Sequence, residues 1–169
     1  MPGDERAQDL TFMRMALEEA ARAPAVGEVP IAALIVQDSQ ILAQAHNCRE
    51  LWQDPTAHAE IIAIRAAAIA LGTWRLTDTT LYVTVEPCSM CIGAIILARV
   101  SRVVFGAWDL KAGACGSVFN LPSEPKLNHR VAVTGGVLEQ DSQALIQKFF
   151  KELRETLASN KPTFNSIDV

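Results

Sequence analysis

Residues 54–60 read Asp54-Pro55-Thr56-Ala57-His58-Ala59-Glu60, and residues 82–91 read Tyr82-Val83-Thr84-Val85-Glu86-Pro87-Cys88-Ser89-Met90-Cys91. The first stretch opens a helical pattern. The second leaves a strand pattern and enters another helix. One histidine and two cysteines offer three soft ligands of the kind zinc takes. A structural zinc site normally closes its tetrahedron with four protein ligands, whereas a catalytic site keeps one position for water. Here the cluster supplies three, and a carboxylate, Glu60, stands two residues after the histidine. Two plainer readings stand beside this one. The three ligands also suit a structural site or buried thiols, and Glu60 also suits a capping charge at a helix start.

Spacing narrows the geometry. Cys88 and Cys91 are three apart behind Pro87, a residue suited to opening a helix, so both thiols lie near one face of its first turn. There the helix dipole and free N–H groups favour thiolate. His58 and Glu60 are two apart, which is about 200° of rotation in a helix. They converge only if His58 precedes the regular helix, and Pro55-Thr56 places the entrance there. The expectation is two helix entrances facing one metal.

Outward from this centre the elements alternate. Residues 1–8 read as loose. A helix is expected from Asp9, as N-cap, toward Pro24, with Leu10, Met13, Ala16, Leu17, Ala20 and Ala21 on one stripe. Residues 31–36 and 41–46 read as strands joined by a turn at 37–40. Residues 47–56 read as a polar loop. Residues 57–71 form a helix that is apolar nearly all round, hence buried, and Gly72 ends it. Then follow a strand at 79–85, a helix from Pro87 to about Ala98, a strand at 101–106 and a long loop at 108–128. A short strand at 131–134 and an amphipathic helix at 138–157 complete the pattern. The tail from Ser159 reads as frayed. Alternation of this kind means an α/β layered fold with a mixed sheet of about five strands and helices on both faces.

Half of the 169 residues are hydrophobic, enough for one sizeable core and crowded for two. One domain over residues 1–169 is expected, with an ordered core at about 9–157. The acidic start, Asp4-Glu5, is unlike a secretory signal, and no apolar run reaches the roughly 18 residues of a membrane span. A cytoplasmic protein without membrane contact is expected, in keeping with unpaired cysteines; Cys48 and Cys115 read as small buried thiols. Net charge is −4, which argues weakly against a nucleic-acid partner. Its distribution softens that. Residues 1–60 hold four basic and ten acidic residues, whereas 61–169 hold eleven basic and nine acidic.

His58-Ala59-Glu60 with Pro87-Cys88-Ser89-Met90-Cys91 resembles the zinc-dependent cytidine/deoxycytidylate deaminase superfamily, whose general mechanism is well described. Within it the chain is most similar to bacterial tRNA-specific adenosine deaminases. The likeness covers roughly residues 9–155 and includes Val29-Pro30, Asn47, Arg102 to Gly106, Asp109, Lys111, Gly113-Ala114, Gly116-Ser117 and Asn128-His129-Arg130. It implies a three-layer cytidine-deaminase-like fold and one zinc ion per subunit on His58, Cys88 and Cys91, with Glu60 as the proton shuttle. It implies hydrolysis of adenosine to inosine at the anticodon wobble position, a tRNA anticodon stem-loop as partner, and a homodimer. Asn47 is implied to hydrogen-bond the flipped base, and Ala59, Val29, Pro30, Asp109, Lys111 and Arg154 are implied as further substrate-binding residues. By itself, Asn47 also suits a turn after a strand. Two positions depart from the pattern: Cys115 stands where alanine is usual, and Trp108 where a polar residue is common. Neither lone histidine, His46 or His129, reads as a metal ligand; His129 is expected at the surface or on RNA. Arg130, Lys111, Lys148, Lys151 and Arg154 read equally as RNA contacts or solvated charges. Of Phe149 and Phe150, one is expected in the core and the other against a partner chain or a base. Deamination of a free base or nucleotide (guanine, cytosine, deoxycytidylate) is the rival enzyme reading. A zinc-scaffolded RNA-binding module without catalysis is the rival from another class.

Overall fold

The computed structural model describes residues 2–160. Five strands make one sheet: β1 (Ala32–Gln37), β2 (Gln40–His46), β3 (Thr80–Val85), β4 (Arg102–Ala107) and β5 (Ala132–Thr134). Their order is β2-β1-β3-β4-β5, with β1 antiparallel to both neighbours and β3, β4 and β5 parallel. The sheet is therefore mixed, as expected. The hairpin forms because Asp38 and Ser39 both take positive φ, 48° and 63°. A two-residue turn of that hand matches the twist of the strands it joins.

Five helices flank the sheet: α1 (Pro2–Ala20), α2 (Arg49–Trp52), α3 (Ala59–Leu71), α4 (Ser89–Leu97) and α5 (Glu139–Ser159). One core cluster joins α3 and α4 to the sheet through Ala59, Ala63, Ala67, Ile92 and Ile95 against Ile35, Leu81, Val83, Val103 and Phe105. A second cluster packs Phe12, Met13 and Ala16 of α1 on Leu34, Val36, Tyr82 and Val104, from the opposite face. Strand alternation separates the two sets, since successive side chains point to opposite faces. The α5 helix shares the α1 face. Its Ser142 sits against Gly106, where any β-carbon would strike the hydroxyl and the Thr84 carbonyl. This is a three-layer α/β fold. Among the described residues, no helix is long and apolar enough to cross a membrane.

Several element boundaries differ from expectation. The first helix begins at Pro2, not Asp9, so the folded part starts earlier than residue 9. Asp9 lies inside it, 4% exposed, and accepts bonds from both Arg102 guanidinium nitrogens at 2.7 Å and from the Tyr82 hydroxyl at 3.0 Å. A guanidinium 93 residues away claims the carboxylate that looked free to cap. The polar loop at 47–56 contains the single turn α2. Pro87 precedes the α4 helix instead of opening it, and Cys88 is the N-cap. In α3 only Ala59, Glu60, Ala63 and Ala67 are buried, while Ile69 is 81% exposed. Small residues four apart bring one face close to the sheet and leave the other outside. Gly72 ends this helix at φ 66°, as expected. The α5 helix runs on to Ser159; residues 161–169, most of the tail read as frayed, lie outside the described residues.

Candidate active site

His58 and Cys88 are both N-cap residues in extended conformation, with φ/ψ of −74°/150° and −73°/174°. The chain turns into a helix immediately after each, which places Glu60 and Cys91 in the first turns of α3 and α4. The ligand atoms of His58, Cys88 and Cys91 all lie within 4.8 Å of one another, a group that could hold a metal ion. His58 Nδ1 is 3.7 Å from Cys88 Sγ and 3.5 Å from Cys91 Sγ. The Cys88 thiol is drawn down to about 4, first by its hydrogen bond with Cys91 and also by His58. The same bond to Cys88, with burial, raises Cys91. Both sulfurs sit at the positive end of α4, where negative charge is favoured.

A cavity of about 240 Å³ opens onto this group, lined by Val29, Ile31, Asn47, Arg49, His58, Glu60, Val85, Glu86, Cys88, Asp109 and Ala112. Glu60 is 4% exposed, and burial pushes its carboxyl above the usual carboxylate range, with its own backbone N–H and nearby His58 pulling partly back. Asn47 is held from behind. Its Nδ2 donates to Glu28, a fully buried carboxylate, at 3.1 Å, and Glu28 also accepts the Leu51 N–H of α2. A carboxylate only accepts, so the Asn47 amide nitrogen must face it. The opposite wall is the loop after β4. It is stitched to the metal ligands by a bridge between Cys88 and Gly113 and by Ala114 N–H donating to the Pro87 carbonyl at 2.8 Å.

Of the residues singled out from sequence, Val29, Asn47, His58, Glu60, Cys88 and Asp109 line this cavity. Cys91 lies buried behind it, beside His58. Ala59 and Pro30 are buried and not on its wall. Lys111 lines a neighbouring cavity of about 420 Å³ that shares Val29, Ile31, Val85 and Asp109 with the first and adds Trp108, Ile146 and Phe150. Arg154 borders a further hollow, along α5, that Lys111, Ile146 and Phe150 also line. The three hollows form one groove from the metal ligands out along α5. Ile31, Val85 and Ala112 were not foreseen, because they carry no chemistry visible without the fold. Glu28 and Glu86 were not foreseen because their partners are distant in sequence, and Arg49 because it stands in a loop without a motif.

The departures from pattern, and one of the undecided charges, resolve locally. Trp108 packs edge-on against Phe105, centroids 4.8 Å apart, with Gly116 and Gly135 beneath it. Cys48 and Cys115 are buried free thiols. His129 Nε2 meets the Val100 carbonyl at 2.7 Å, so this ring braces the chain instead of projecting outward. Arg130 is spent on the carbonyls of Glu124 and Pro125. Of the two phenylalanines, Phe149 is half-buried and Phe150 faces the groove, 39% exposed.

With this geometry in hand, likeness to known proteins is informative. The MafB19-like deaminase family matches residues 7–154. A tRNA-specific adenosine deaminase of Bacillus subtilis is 50% identical over 148 residues, 88% of this chain and 92% of that protein. One from Haemophilus influenzae is 44% identical over 94% of this chain and 92% of its own length. A solved structure from studies of A-to-I editing by tRNA:A34 deaminases at the wobble position superposes with a TM-score of 0.77 at 44% identity, covering 80% of this chain and 98% of its own. A guanine deaminase from Nitrosomonas europaea is more distant, with a TM-score of 0.67 at 27% identity over 81% of each chain. The matched span contains both helix entrances and all three metal-ligand candidates, and the chain belongs to the family of tRNA-specific adenosine deaminases.

Proposed function

We propose that this protein hydrolyses adenosine to inosine at the wobble position of a tRNA anticodon, using one zinc ion per chain. The observation that carries the reading is the meeting of His58, Cys88, Cys91 and Glu60 at one end of one cavity. The donor set fits zinc. A tetrahedral ion with Zn–S near 2.3 Å and Zn–N near 2.0 Å sets nitrogen and sulfur about 3.6 Å apart, and the separations here are 3.5 and 3.7 Å. Zinc at this place supplies Lewis acidity and a water made nucleophilic near neutral pH.

The chain's own residues do the rest. Glu60, a buried carboxylate two residues after His58, takes a proton from the attacking water and delivers it to adenine N1 as the water oxygen adds to C6. It then takes the proton of the new C6 hydroxyl and hands it to the amino group; the C6–N bond breaks, the C6 oxygen becomes the carbonyl of inosine and ammonia leaves. Asn47, oriented by Glu28, offers its remaining amide hydrogen and oxygen to the base, while Val29, Ile31 and Val85 wall off water with apolar surface. Asp109, Lys111 and Arg154 follow the RNA outward along the groove, and Phe150 offers a stacking face. Identity of 44–50% to tRNA-specific adenosine deaminases, against 27% to a guanine deaminase, disfavours the free-base reading. A scaffold has no use for a buried carboxylate at the metal.

The chain works as one deaminase domain in a homodimer. Ile69 of α3 and Leu97 of α4, 81% and 70% exposed, leave apolar surface for a second copy. Its working place is the cytoplasm, where tRNA is found and where metal-binding thiols stay reduced. Incubation of the zinc-loaded protein with an anticodon stem-loop carrying wobble adenosine should yield inosine on nucleoside analysis. Absence of inosine, with guanine deaminated instead, would overturn the reading.

A further inference from the structure

Glu86 directly follows β3, two residues before Cys88, and is 3% exposed. Its carboxylate collects four hydrogen bonds from one loop. Oε2 accepts the Asp109 N–H at 3.0 Å and the Ser117 hydroxyl. Oε1 accepts the N–H groups of Cys115 and Ser117, each at 3.0 Å. An ionised carboxylate has about four acceptor sites, so Glu86 has none left for substrate although it borders the cavity. Gly113 passes so close that a methyl there would collide with Glu86 Oε2 and with the Asp109 carbonyl. The loop so gathered brings Asp109 and Ala112 to the cavity wall. It also pairs with Cys88 through Gly113.

We propose that Glu86 is a positioning residue: it holds the 109–117 loop at a fixed distance from the metal-ligating entrance of α4, and so sets the width of the substrate cavity. This rests on the deaminase reading for what the cavity holds, but not for the clamp itself. Within the loop only Ala114 and Cys115 reach the core, and Leu110 is exposed. Four bonds to one buried charge fix the rest of the loop beside these two small core residues, and charge-assisted bonds of this kind are the strong ones. The amide of glutamine is no substitute, because its NH₂ would face two donors and leave them unsatisfied.

The test uses the full zinc-loaded chain and the wobble-adenosine stem-loop. Glu86→Gln should keep one metal per chain and a native circular dichroism spectrum. Its KM should rise roughly tenfold or more, with a smaller change in kcat, and the Cys115 and Ser117 amides should exchange at least roughly tenfold faster. Ser117→Ala, which removes one bond of the four, should fall between Glu86→Gln and the parent on both readouts. It keeps the test alive if Glu86→Gln does not fold. Unchanged amide exchange and kinetic constants within twofold in either variant would overturn the proposal. So would a loss of activity that tracks lost folded protein at constant KM. If the parent makes no inosine, the deaminase reading fails, and amide exchange still decides on Glu86.

Discussion

Two carboxylates border the same cavity and have opposite surroundings. Glu60, in the first turn of α3, is raised by burial, and partial relief from its own backbone and from His58 does not restore it. At Glu86, at the end of β3, burial works the same way, but hydrogen bonds from Ser117, Asp109 and Cys115 outweigh it and hold the carboxyl below its usual range. One is the candidate acid–base group, where burial outweighs the few groups that favour its charge. The other is a fixed anion saturated with donors. Burial alone therefore does not make a catalytic carboxylate; the count of donors aimed at it decides between moving a proton and holding a loop.

The largest effect should come from removing what both carboxylates adjoin. Cys88→Ala takes away a ligand and is expected to release the metal, abolish inosine formation and lower thermal stability, since the ion ties two helix entrances together. Elemental analysis checks it; one metal per chain with near-parental activity would break the whole comparison. Next is Glu60→Gln, with metal, fold and RNA binding retained and inosine formation down by at least roughly a thousandfold. Its Cys115 and Ser117 amides should stay protected, in contrast with Glu86→Gln. Activity within roughly tenfold of the parent would mean that another group moves the proton.

Smaller is Gly113→Ala. The added methyl pushes on Glu86 without touching its charge, so about 1–3 kcal/mol of destabilisation is expected from overpacking, with a KM increase smaller than that of Glu86→Gln. An unfolding curve identical to the parent's would show that the loop stands off from Glu86 in solution. Smallest is joint neutralisation of Lys148, Lys151 and Arg154 on α5. Stem-loop affinity should fall roughly threefold to tenfold and depend less steeply on salt, while kcat stays put. That outcome separates the outer groove from both carboxylates; an unchanged salt slope would leave these charges as ordinary surface.

The ligand trio was legible because each of its two motifs is local, although His58 and the cysteines meet across 30 and 33 residues. Proline and the helix start signals put His58 and Cys88 at helix entrances, and both are N-caps. Alternation of elements and the Asp38-Ser39 turn were legible for the same reason. Asn47 was a candidate only by resemblance, and the carboxylate that orients it lies 19 residues earlier. Asp9 misled because its partners are 73 and 93 residues away. The α3 pattern misled because hydrophobic composition does not say which side a sheet covers; Ile69 stays outside.

By itself, then, the sequence determined the element order, the metal-ligand candidates and the shuttle candidate, each read from a short motif whose own residues lie within a few positions of one another. Only the tertiary structure decided which carboxylate is free and which is clamped. Glu60 and Glu86 look alike in the chain, each two residues from a metal ligand. What distinguishes them is the 109–117 loop, whose donors come 23 to 31 residues after Glu86 and are aimed at it by the parallel pairing of β3 with β4. A pattern of neighbours in sequence carries no information about a donor that arrives through the fold.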